Sequence, residues 1–213
     1  DTGGVNVTVG SANGKAGAIN VVAGTSMGSD GGALSLLAGL GYQDGGDLTL
    51  AGGDATNKQG GSVSITSGVG HAMSSGDVTI ASSTGGRKSG SISFVSGTAA
   101  AGDTGAVAIG SGTATAGKAG NIALEVGASS SSKGSSLTLR SGNATQGTGG
   151  KLGITSGSGV LGGGSMEITA GEALALTGGS IELTSGFSTE TSSGNIDVRT
   201  PNAGALGVSG AIA

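Results

Sequence analysis

The sequence predicts an all-β fold: one parallel β-solenoid, a single domain over residues 1–213, built of about 14 coils of 14–15 residues with no evident caps. Three observations predict it. The phrase GGSVSITSG at 60–68 returns as GGSIELTSG at 178–186, and copies begin at Gly3, Gly17, Gly32, Gly46, Gly61, Gly76, Gly90, Gly105, Gly120, Ser135, Gly150, Gly164, Gly179 and Gly194. Inside each copy, large apolar residues alternate with small ones. Between them lie stretches of Gly, Ser, Ala and Thr, and the period does not break anywhere along the chain.

The first eight places of a copy read as a strand. Place three is always apolar, from Val5 and Ile19 to Ile181 and Ile196, and so is place five, from Val7 and Val21 to Leu183 and Val198. Period-two alternation of β-branched and aliphatic side chains is the pattern of a strand with one buried face. Place eight is glycine in 12 of 14 copies, with Ser83 and Pro201 the exceptions, and marks the strand's end. Place ten is always Ala, Ser or Gly, from Ala12 to Ala203, which predicts an inward position across a thin core.

A strand that recurs in the same phase after 14–15 residues is not a hairpin meander, whose loops are two to five residues long. A chain that returns and stacks on itself meets the pattern, turning places three and five into continuous Val/Ile/Leu columns. At ~4.8 Å per coil, such a rod is ~65 Å long. Its neighbouring coils would set Glu125 beside Arg140 and Asp103 beside Lys118. At the C-terminal end, Leu206 and Val208 mimic a further strand, and the uncovered end coils predict a segment of a longer array or a stackable fibre subunit.

Composition narrows the classes further. With 50 glycines, one proline, no cysteine, no tryptophan and only Tyr42, Phe94 and Phe187 as aromatics, a wide aromatic-filled core is excluded. Collagen is excluded by the lack of a three-residue glycine period. At 35% hydrophobic with net charge −4, the chain lies away from the disordered class. Nine basic against 13 acidic residues leave no basic stripe, so neither nucleic acid nor an anionic membrane is an expected partner. No apolar run approaches the ~20 residues of a membrane span.

Over its whole length the chain resembles the Ser/Gly-rich tandem 14–15-residue repeat segments of large extracellular proteins of diatoms and other microalgae, as in SGSISFVSG (89–97), SGNATQGTGG (141–150) and GGSVSITSG. It is also similar to the short-coil solenoids of some ice-binding proteins and bacterial adhesins. The resemblance implies an extracellular or cell-surface location, a structural or surface-binding role, and no catalytic residues. The expected function is a non-catalytic stiff rod in a filament, stalk or matrix, self-associating end to end. The alternative is a surface-binding protein, of the ice-binding or adhesin kind, that meets ice, glycan or mineral through a flat Ser/Thr/Ala face.

Candidate sites follow from place. Thr49, Ser64, Thr79 and Ser93 at place four, with Thr66, Thr155, Thr169 and Thr184 at place six, are the flat-face candidates. Val22, Leu37, Glu125, Arg140 and Arg199 interrupt the second of these columns. Glu167, Glu182 and Asp197 share place four in three successive copies, and like charges one coil apart repel unless a cation intervenes. Calcium is the cation such a column would hold, against the plainer reading of a solvated acidic patch; no other cofactor is expected. His71 is the sole histidine and has no triad or ligand spacing around it. Two glycosylation sequons occur, Asn6-Val7-Thr8 and Asn143-Ala144-Thr145, of which Asn143 follows a strand end and is the more accessible.

Overall fold

The computed structural model describes residues 3–212. The repeat is plain in it, but its packing is not that of a solenoid. Each copy is an extended segment over places one to eight followed by a loop, and the chain bends once per copy near places eleven to thirteen, as at 13–15, 27–29, 42–44 and 71–73. No helix and no strand of a sheet forms among the described residues. The all-β parallel solenoid is therefore overturned.

The hydrogen bonds show why. A solenoid needs backbone pairing between residues one full coil apart, 14 or 15 positions along. Here nearly all close approaches of the backbone join residues fewer than 12 apart. The amide of place one donates instead to the carbonyl of place eight in the copy before it: Gly32 to Gly24, Gly46 to Gly39, Gly61 to Gly53 and Gly76 to Gly68, at 2.8–3.0 Å. Each bond closes a loop of seven or eight residues at its neck. Closing the shorter loop costs less chain entropy than returning after a whole coil, by ~0.6 kcal/mol per doubling of length. A coil that covers only two large side chains has little burial with which to offset the rest.

The apolar columns are accordingly absent. None of the described side chains is buried, and the accessible surface totals 21253 Å². A compact monomer of 19.4 kDa would expose about 8,500 Å² and its unfolded chain about 28,000 Å². The chain thus keeps most of its surface in water. Alternation survives along each extended segment: Val9 and Val126 at place seven are 47% and 43% exposed, whereas Val22, Leu37 and Val95 at place six are 82–86% exposed. Odd and even places lie on opposite sides, as extended backbone requires.

Two units can be described separately. Asp1–Ala108 carries the four necks just named, and Ile109–Ala213 carries another four, Gly142 to Gly150, Gly157 to Gly164, Gly171 to Gly179 and Gly186 to Gly194. Two missing necks have a local reason. Val9 stands in the way at Gly17, where a β-carbon would meet its Cγ1 at 2.8 Å. Ser135 replaces the place-one glycine in another copy, where a β-carbon crowds the facing backbone, whereas a β-carbon at place eight meets nothing in the closed necks, so Ser83 and Pro201 give no such reason. The open necks at 97–105 and 112–120 have no such replacement, and nothing in the structure explains them.

Candidate functional site

The most enclosed positions are at the necks. Ala23, Ser67, Ser96, Ser141, Ser156, Ala170, Ser185 and Thr200, all at place seven, are half-buried where almost every other residue is exposed. Their side chains face the place-one glycine of the next copy: Ala23 Cβ lies 3.6 Å from where a β-carbon on Gly32 would sit, Ala170 Cβ 3.4 Å from that of Gly179. The Ser156 hydroxyl adds a clasp, donating to the Ser165 carbonyl at 3.1 Å. Small side chains on one strand of the neck and glycine on the other let the backbones come within hydrogen-bond reach. At Gly61 a β-carbon would fall 2.9 Å from the Gly53 nitrogen. Place seven is Gly, Ala or Ser in 11 of 14 copies, a signal in the sequence second to that of place ten, which has no exception.

Place ten is small for a different reason from the one predicted. It begins the bend. A β-carbon on Gly41 would lie 1.8 Å from the Asp44 carbonyl oxygen, so the turn itself occupies the space. Where place ten is serine, its hydroxyl accepts from the backbone two or three residues on: Ser26 from the Ser29 amide at 3.0 Å, Ser129 from Ser131 at 3.1 Å, and Ser188 from Glu190 at 3.3 Å and Thr191 at 2.9 Å. These are serine turns, a local substitute for backbone hydrogen bonding. In the loop 142–150, Gly147 with φ +113° takes the left-handed conformation that the bend needs.

The acidic candidates stay within their own copies. The Thr169 hydroxyl donates to Glu167 Oε1 and that of Thr184 to Glu182 Oε1, each at 3.4 Å, while Arg199 pairs with Asp197. Places four and six lie on one side of the extended chain, which brings each pair together. Among the described residues, no three acidic or histidine side chains gather as a metal site would require. The ion pairs expected between coils, Glu125 with Arg140 and Asp103 with Lys118, do not form, because the coils that would align them are not stacked.

The remaining candidates are exposed and separate. Thr49, Ser64, Thr79 and Ser93 at place four, and Thr66 and Thr155 at place six, sit on the even-numbered side of individual segments, with no backbone ladder among the described residues to hold those segments in one plane. His71 opens the bend 71–73. Asn143 follows Gly142 directly and precedes the bend at 145–147, whereas Asn6 lies in an extended segment. The expected strand through Leu206 and Val208 is corrected as well: 205–207 is a turn, with Gly207 donating to Gly204 at 3.2 Å. Gly210 instead occupies the place-one position, where a β-carbon would lie 3.5 Å from Thr200 Cγ2, and puts Ile212 at place three.

No family model matches the chain, and searches of the curated proteins and of the solved structures found no match.

Proposed function

We propose that this chain is a non-catalytic structural protein of the extracellular space or cell surface, a repetitive element of a filament, stalk or matrix that works by association between copies. One observation supports it most: a single unit, extended segment plus loop, is written fourteen times, and in every copy the apolar pair at places three and five is left exposed. A protein that repeats one sticky element along its length is suited to multivalent assembly, in which many weak contacts add up without any one site being special. The low charge fits the same use, since 9 basic and 13 acidic residues in 213 oppose close approach of copies only weakly. The extracellular assignment rests on the resemblance to secreted Ser/Gly-rich repeats.

Negative-stain electron microscopy and sedimentation of the purified chain at physiological salt test the reading. Filaments, sheets or networks that grow with concentration are the expected result. Particles that remain single chains at millimolar concentration would overturn it.

A further inference from the structure

We infer that the contact between copies is made by the extended segments of unit Asp1–Ala108, which pair edge to edge with the same segments of a second copy and gain β-structure only on assembly. This rests on the structural reading above and specifies its interface.

Three observations converge on these segments. The first is backbone valence. Among the described residues, the backbone-to-backbone hydrogen bonds are the eight necks and the Gly204–Gly207 turn, so the N–H and C=O groups of places two to seven have no backbone partner. A row of unpaired groups on an extended chain is a template for another strand. The second is apolar area. Fifteen side chains at places three and five in this unit, from Val5 to Val107, are 47–95% exposed. At ~60 Å² each they offer ~900 Å², above the ~800 Å² per partner of a standard stable interface.

The third is charge, and it decides which unit. From Val5 through Ala108, places three to seven carry no charged side chain at all: the segments read VNVTV, INVVA, LSLLA, LTLAG, VSITS, VTIAS and ISFVS. In Ile109–Ala213 the same places hold Glu125, Arg140, Glu167, Glu182, Asp197 and Arg199. Uncharged, β-prone segments of five to seven residues are those that pair between chains, and interspersed charge is what prevents it. A second copy is the occupant these features fit, because every segment meets an equivalent one with the same alternation and no opposing charge.

The test is a concentration series of the full chain, read by sedimentation velocity and by the amide I infrared band of intermolecular sheet. The expected result is that β signal and large species rise together. A variant carrying Ser64→Glu, Thr79→Glu and Ser93→Glu places like charges opposite one another in the pairing unit, and should raise the half-assembly concentration at least tenfold. The same substitution at Ala123, Thr138 and Gly153, all at place four of copies in Ile109–Ala213, should shift it less than threefold. Assembly without β signal would overturn edge pairing while leaving the structural reading standing. Equal effects of the two variants would overturn the assignment to Asp1–Ala108, and absence of any assembly would overturn both readings.

Discussion

The Gly194 amide donates to the Gly186 carbonyl at 2.8 Å, and Ser185 Cβ lies 3.7 Å from the position a β-carbon on Gly194 would take. This pairing of place one with place eight, seven or eight residues apart, recurs at eight necks along the described chain. Its consequences can be checked in dilute solution.

Gly61→Val sets a β-carbon 2.9 Å from the Gly53 nitrogen and should open the neck. Loss of one hydrogen bond worth ~1 kcal/mol corresponds to about fivefold faster exchange of the residue 61 amide. Hydrogen exchange followed by NMR should show this at residue 61 and leave Gly179, in the other unit, unchanged.

Ser188→Ala removes the acceptor for both the Glu190 and the Thr191 amides. The Thr191 amide, the closer at 2.9 Å, should exchange roughly threefold to tenfold faster, again the span of one net hydrogen bond. By contrast Gly41→Val forces the bend at 42–44 to rearrange, because the added β-carbon would lie 1.8 Å from the Asp44 oxygen. Its signature is a change in the backbone chemical shifts of residues 41–45 rather than a change in exchange alone.

Ile65→Ala distinguishes local units from stacked coils. In a solenoid it would leave a cavity between Leu50 and Ile80 and disturb both neighbouring coils by several kcal/mol. With Ile65 already 65% exposed, the cost should stay under ~1 kcal/mol and amide shifts should move only within about one repeat on either side.

Arg199→Ala breaks the ion pair with Asp197, whose partners are 79% and 49% exposed. An exposed pair of this kind contributes ~0–1 kcal/mol. The Asp197 carboxyl resonance should shift, while exchange at the Gly186–Gly194 neck stays within a factor of two.

How much of this was legible beforehand differs from place to place. The boundaries of every copy, the alternation of odd and even places and the position of each loop could be read directly, because steric preferences of glycine and of β-branched residues act over a few residues. Place seven could have been read too: its column of Ser, Ala and Gly carries the neck, but attention falls first on the larger residues at places three and five. Place ten was read correctly as restricted, and for the wrong cause, since a small residue facing a core and one folded into its own turn leave the same trace.

What the sequence by itself determined is the unit and its period: fourteen extended segments, each with one apolar side, joined by bends rich in glycine and serine. Only the tertiary structure decided which backbone groups meet. A 15-residue period is equally compatible with pairing one coil ahead and with closing a loop of eight, because periodicity records which residues are equivalent and not which are in contact. The choice turned on closure: glycine at place one and a small residue at place seven let the backbones meet at eight short necks, and where these close, the Val/Ile/Leu side chains remain without cover inside the single chain.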